Sequence, residues 1–344
     1  MIADATTRFA YPEWFWPLVG SAPVKEDERL ESCGVPLVMA EGMLRDEVCH
    51  DAGQTQTRET FGYKWQREDS YGSPAMVEFS RQWLEERYAA LWAHPAAELS
   101  GGHRPLMLDA GCGSAYSASI LLQRRFPKLR YVGADISRAA DVAARSFAQK
   151  SVDGAIVQAD LMRLPFADGA FDIVFSEGVL HHTPSTRAAL AAVARKARKG
   201  GAVAFYVYRK KSPVREFTDD YIRDLVKDLP PEKAWALMEP LTRLGIALGE
   251  LNAEINISEE IGLLGIPAGR INVQRLFYWH VCKLFYRPDM ALDEMNHINF
   301  DWFTPTYAHR QSAEEVTQWC GEIGLDIVEM KAEEAGITVV ATKL

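Results

Sequence analysis

The sequence predicts a doubly wound α/β fold with a mostly parallel, seven-stranded sheet ending in an antiparallel hairpin. Three observations carry this. Short apolar runs alternate with helical patterns from Leu106 to Tyr208, which implies parallel strands joined by crossover helices. A strand–glycine–helix junction opens that region at Leu106–Tyr116. Two apolar runs near the end, Asp326–Lys331 and Gly336–Thr342, are separated by Ala332–Ala335 alone and so predict a hairpin.

Residues 1 to about 75 show no regular period. Aromatics such as Tyr11, Trp14, Phe61, Tyr63, Trp65 and Tyr71 alternate there with Gly, Pro and charges. Pro74–Trp92 predicts a helix, with Met76, Phe79, Trp83, Leu84, Tyr88 and Leu91 at three- and four-residue spacing. Pro74 suits its first turn. His94–Pro105 reads as a linker.

In the core, strands are expected at Leu106–Asp109, Arg130–Asp135, Ala155–Asp160, Phe171–Ser176 and Ala202–Tyr208. Helices are expected at Ser114–Phe126, Arg138–Lys150 and Pro184–Arg198. The rhythm breaks after Tyr208. Val214–Asp228, Glu232–Leu251 and Arg270–Tyr286 predict a mostly helical insertion. Ser312–Ile323 resumes the core as a helix with an N-cap serine and an acidic first turn. Four zones follow: an extension at 1–105 with lid and helix, a core at 106–208, an insertion at 209–311 and the end of the core at 312–344.

Composition sets the outer limits. The 344 residues hold about two domains' worth of chain. Hydrophobic residues are 48% and charged residues 25%, which excludes disorder as the dominant state. No apolar run is long enough for a membrane span, and the N-terminus lacks a secretory pattern. A net charge of −9 disfavours holding nucleic acid through its phosphates. The five cysteines are scattered without a CxxC pair, which points to a reducing cytoplasm rather than a disulfide framework or zinc site.

The chemistry concentrates in Leu106-Met-Leu-Asp109-Ala-Gly111-Cys-Gly113-Ser-Ala-Tyr116. Gly111 and Gly113 allow a tight turn and close approach of a ligand, and the next helix offers free amides. Tyr116 stands where a dinucleotide fingerprint needs its third glycine. Asp109 would repel a pyrophosphate and suits a positively charged ligand. Twenty-two residues past Gly113 lies Asp135, at the end of a strand, where a carboxylate can accept both hydroxyls of a ribose.

With these residues the chain resembles the class I S-adenosylmethionine (SAM)-dependent methyltransferases, most nearly the small-molecule enzymes of the ubiquinone and menaquinone type. Asp109–Gly113 (DAGCG) matches their first motif, and Gly133–Ser137 (GADIS) supplies the ribose acid with Ile136 for the adenine face. Gln158–Leu161 (QADL) is similar to the motif in which an aspartate, here Asp160, meets the adenine amino group beside Leu161. Ser176–His182 (SEGVLHH) matches the fourth-strand motif, and Lys199-Gly200-Gly201 precedes the fifth strand. The resemblance covers roughly 150 residues. It implies SAM as cofactor and S-adenosylhomocysteine (SAH) as product. It implies a cofactor site of Asp109, Gly111, Gly113, Asp135, Ile136, Asp160, Leu161 and Ser176. The acceptor is then a small molecule methylated at O, N or C.

His181, Glu177 and His182 follow the fourth strand and are the candidates for a base. For each, a structural role is the alternative: a histidine capping the next helix, or Glu177 lining the cofactor pocket. Tyr206, Tyr208 and Arg209 end the fifth strand and are candidates for the substrate pocket, with plain packing as the alternative for the tyrosines. Arg209-Lys210-Lys211 reads first as a solvated face and second as an anion clamp. Tyr63 and Trp65 either fold over the cofactor as a lid or simply pack. The insertion is expected to cap the substrate, its aromatics being mostly core.

No metal is expected, since His297, Asp301 and His309 fit no ligand spacing. Cys33 and Cys49 are too few for the zinc ribbon that opens some relatives. There is no [D/N]PP[Y/F] motif and no Pro-Cys after the fourth strand, which disfavours base-amino and cytosine chemistry. The competing readings are an RNA or protein methyltransferase using basic clusters (Arg124, Arg125, Lys128, Arg130; Arg195, Lys196, Arg198, Lys199), a catalytically silent SAM-fold partner, and an NAD-type dehydrogenase, which Tyr116 and Asp109 disfavour. A homodimer is left open.

Overall fold

The computed structural model describes residues 9–48, 50–98, 102 and 104–344; the first eight residues, Cys49 and part of the expected His94–Pro105 linker lie outside them. The extension supplies β1 (Arg29–Ser32), β2 (Val35–Ala40), β3 (Met43–Asp46), α1 (Ala52–Gln66) and α2 (Pro74–Ala93). The core follows as β4 (Leu106–Ala110), α3 (Tyr116–Leu121), β5 (Arg130–Asp135), α4 (Ala139–Lys150), β6 (Gly154–Gln158), β7 (Phe171–Glu177), α5 (Thr186–Ala194) and β8 (Ala197–Tyr208). The insertion contains α6 (Pro213–Val226), α7 (Pro231–Glu250), β9 (Glu254–Ile257), β10 (Gly269–Asn272), α8 (Val273–His280) and α9 (Leu292–Phe303). The chain closes with α10 (Ala313–Glu322), β11 (Leu325–Ala332) and β12 (Gly336–Lys343).

The seven expected strands form a doubly wound sheet in the order β6-β5-β4-β7-β8-β12-β11. Strands β4 to β8 run parallel, and β12 is antiparallel to β8 and to β11. Alternation sorts their side chains. Leu106, Leu108, Val174 and Val203 face the side covered by α5 and α10, while Met107, Ile173, Phe175 and Ala204 face α2, α3 and α4.

The extension is not irregular. β1, β2 and β3 form an antiparallel meander that lengthens the sheet to ten strands. β3 joins β6 in parallel through the single pair Arg45↔Gln158. Tyr11 bridges the two strands: its hydroxyl donates to the Ile156 carbonyl (2.6 Å) and accepts the Leu44 amide (2.8 Å).

Two expected helices are shorter. The Ser114–Phe126 pattern yields only Tyr116–Leu121, because the glycine turn continues through Ala115 at φ +57°. The Arg270–Tyr286 helix is corrected to β10, α8 and an irregular stretch. Residues Gly269–Asn272 pair with Glu254–Ile257, and Asn272 caps α8 by accepting the Gln274 amide. Beyond His280 the chain extends, so that the Leu284 carbonyl accepts from Gln274 Nε2 (2.6 Å) and the Phe285 amide donates to Asn299 Oδ1 (3.1 Å).

Candidate active site

Open α/β sheets bind ligands at the carboxyl ends of their strands. One cavity of about 460 Å³ lies along this edge here, between the sheet, α1, α2 and the insertion. The turn after β4 builds its floor. Gly111 has φ +87° and Gly113 φ +54°, a region glycine enters without steric cost. The Gly111 amide donates to the Ala134 carbonyl (2.7 Å) and pins the turn against β5. A Cβ on Gly111 would fall 2.3 Å from Val179, and one on Gly113 2.9 Å from Trp65 Nε1. The turn therefore has no room for side chains.

Three carboxylates rim this half. Asp109 is buried at the end of β4 and accepts from the Tyr131 hydroxyl (2.8 Å). Burial pushes it up to about 7, opposed by that hydrogen bond and assisted by the charges of Asp135 and Glu177. Asp135, at the end of β5, accepts the amides of Gly113 and Ser137 at 2.8 Å each. Burial raises its pKa against those bonds. Asp160 follows β6; Oδ1 accepts the Met162 amide and Oδ2 accepts Gln54 Nε2 from α1. Ile136 and Leu161 line the same half. Trp65, from α1, stands over Gly113 and packs on Tyr71, Tyr116 and His297.

Glu177 ends β7 and marks the middle of the cavity. Its Oε1 accepts Trp83 Nε1 (2.8 Å), and its Oε2 accepts the Tyr88 hydroxyl, both from α2. Burial raises its pKa against those two bonds. Both carboxyl oxygens are thus engaged by α2. His182 also lines the cavity, and its Nδ1 lies 2.7 Å from the Tyr307 carbonyl. A carbonyl only accepts, so Nδ1 carries the proton and Nε2 keeps its lone pair. Burial pushes His182 down to about 3, leaving it neutral.

The remaining candidates stand elsewhere. His181 does not line the cavity. It is fully buried and stacked on Tyr208 at 3.6 Å, with neither ring nitrogen hydrogen-bonded among the described residues. Ser176 is a cross-strand tie whose hydroxyl donates to the Ala110 carbonyl (2.8 Å). Tyr63 packs on Trp235 and Phe300, outside the cavity. Arg209 is exposed and reaches the Ala332 carbonyl. Tyr206 and Tyr208 do line the cavity.

The charge run after β8 is split. Arg209 and Lys210 are exposed, but Lys211 turns into the cavity and donates to the carbonyls of Ala335 (2.8 Å) and Glu334. The sequence reading also missed Lys64, Arg215, Arg275, Lys283 and Asp301 as cavity residues. Asp301 binds Lys64 Nζ at 2.6 Å and lies 3.7 Å from Lys283 Nζ. Burial alone would raise Asp301, but the two ammonium groups outweigh it and hold the carboxyl at about 2. These residues come from segments far apart in the chain, and no local spacing signals their meeting.

Residues 108–205 match the family model described as a methyltransferase domain. Over that stretch, a little over a quarter of its length, the chain is similar to this family. A malonyl-[acyl-carrier protein] O-methyltransferase of Legionella pneumophila is 38% identical over 79 residues, covering 23% of this chain and 28% of that protein. An uncharacterized chloroplastic methyltransferase of Arabidopsis thaliana is 32% identical over 126 residues, 34% of each chain. The chain thus spans roughly a quarter to a third of the length of these relatives. Among solved structures, the SAM-bound magnesium protoporphyrin IX methyltransferase of Synechocystis PCC 6803 is similar at 14% identity and a TM-score of 0.46, covering 86% of this chain and all of that one. No helix among the described residues is long and apolar enough to cross a membrane.

Proposed function

We propose that this protein transfers a methyl group from SAM to an O, N or C atom of a small molecule. The observation that carries the reading is the glycine turn, closed over by Trp65 and ringed by Asp109, Asp135 and Asp160 in one cavity. These residues fit the cofactor. The turn presents its backbone to the cavity, and the buried carboxylates favour a cation there. Asp135 would hold the ribose hydroxyls, with Ile136, Asp160 and Leu161 around the adenine. When bound, SAM supplies a methyl group already activated on a sulfonium, with a neutral thioether as leaving group.

The protein's own work is then placement and exclusion of water. Trp83 and Tyr88 hold the carboxyl of Glu177 in the cavity wall. His182, neutral and with Nε2 unprotonated, accepts a hydrogen bond from a substrate atom that carries a proton and so orients it; burial holds it too weakly basic to take the proton itself. Helix α1 and the insertion enclose the reactants, and holding them in line contributes several kcal/mol through proximity.

The macromolecular alternative draws less support. Lys196 is buried against the Phe166 carbonyl and Asp168, and Arg198 is paired with Asp172. Arg125 lies over Trp92. These three side chains of the basic clusters therefore serve the fold. The free cysteines Cys33, Cys112, Cys282 and Cys320 support a reducing, cytoplasmic setting.

The test adds methyl-labelled SAM and the protein to a cell extract, with Asp135→Ala as control. Label is expected in the small-molecule fraction; label in RNA or protein would overturn the reading. Asp135→Ala is expected to weaken SAH binding by about 30- to 150-fold, or roughly 2–3 kcal/mol. An unchanged affinity would remove Asp135 from the site.

A further inference from the structure

Strand order sorts the charges of the cavity. The ends of β6, β5, β4 and β7 carry Asp160, Asp135, Asp109 and Glu177. The ends of β8 and the β11–β12 turn, together with the insertion, present Tyr206 and Tyr208 and then Lys211, Arg215, Arg275 and Lys283. Three strand spacings separate β4 from β12, so the two ends lie about 14 Å apart.

The basic end is not balanced from within. Lys64 and Lys283 share Asp301, and Arg215 Nε is bound by Asp219 at 2.6 Å. Two cations remain. Among the described residues, Lys211 Nζ meets only the carbonyls of Glu334 and Ala335 and the faces of Trp279 and Trp302 at 5.7 Å. Arg275 is solvent-exposed where it lines the cavity; among the described residues its guanidinium meets only the ring of Tyr278, at 5.6 Å. Burial, with the charges of Arg215 and Lys283, pushes Lys211 down to about 6. Such an amine is largely uncharged in the empty cavity and regains its proton when an anion lies against it.

We propose that the acceptor is an aromatic carboxylic acid whose carboxylate is held by Lys211 and Arg275. The carboxylate is a handle, far from the glycine turn, and not the methylated atom. Arg275 offers a planar fork matched to a carboxylate, and Lys211 a point charge. Between the two ends, Tyr206, Tyr208, Tyr278 and Trp302 provide flat apolar walls, which suit a planar body. This inference rests on the methyl-transfer reading and names its substrate class.

The experiment is calorimetric titration of the protein, first with SAH and then, once saturated, with cinnamate and naphthoate. Each acid is paired with its carboxamide, and phenyl phosphate is included. The acids are expected to bind at least 10-fold more tightly than their amides. Lys211→Met and Arg275→Met should each abolish that preference while keeping the SAH affinity of the parent, which reports a folded cofactor site. Absence of SAH binding would defeat the methyltransferase reading itself. Normal SAH binding with no preference for acid over amide would overturn this proposal alone, as would a preference that survives both substitutions. Tighter binding of phenyl phosphate than of either acid would replace the carboxylate with a phosphate monoester.

Discussion

Asp109 illustrates how one side chain ties cofactor preference to pH. A free aspartate titrates near 4, whereas Asp109 is pushed up to about 7, first by burial and then by Asp135 and Glu177. The folded chain therefore holds a proton that the unfolded chain lacks between those values. Its contribution to stability is complete below about pH 4 and is lost as pH rises through 7. A sulfonium nearby favours the ionised form, so affinity for SAM relative to SAH should climb from pH 6 to pH 8. Titrations with both ligands check this, and Asp109→Asn should flatten the trend. A ratio independent of pH in the unsubstituted protein would refute it. The neighbouring histidines diverge in the same manner. His182→Ala, which removes a hydrogen bond that orients the acceptor, should lower kcat by about 10-fold, with SAH affinity kept, whereas His181→Phe should leave kcat nearly unchanged. Sequence alone could not separate the pair. Both sit in one turn of 3-10 helix, Leu180–His182, and their fates depend on Tyr208 and Tyr307 from other segments.

At the scale of elements, the legible part is the part specified locally. Asp109, Gly111, Gly113, Asp135, Ile136, Asp160 and Leu161 all line the cavity, because a strand followed by a tight turn fixes where its last residues go. Gly111→Ala puts a methyl 2.3 Å from Val179 at φ +87°. It should destabilise the protein by about 1–3 kcal/mol, read as a lower urea midpoint; pairing it with Val179→Ala should recover part of the loss. Helix α1 was illegible for a physical reason. Its buried residues are Thr57, Thr60, Gly62 and Lys64, small or polar, so no apolar stripe betrays it. Three of its hydrogen-bond partners lie more than two hundred residues on: Lys64 on Asp301, Gln56 on Thr304 and Thr306. Trp65→Ala should speed SAH dissociation in stopped-flow fluorescence; an unchanged rate would mean that the indole only packs.

At the scale of the molecule, the first and last thirds of the chain meet over the cofactor motifs. The ten-stranded sheet has one further effect. β6 is buried along its whole length, and its outer edge is covered by β3, by Tyr11 and by the Asp46 carboxylate, which accepts the Asp160 amide at 2.7 Å. Removing residues 9–66 should leave a core that sediments as aggregates, whereas removal of β1 alone should not. The meander therefore acts as a guard against self-association: with it gone, Gly154–Gln158 would offer a bare row of amides and carbonyls for another copy to extend. The segment that carries the cofactor motifs is thus not a portable module, and a fusion or library built on residues 104–344 would inherit a sticky edge.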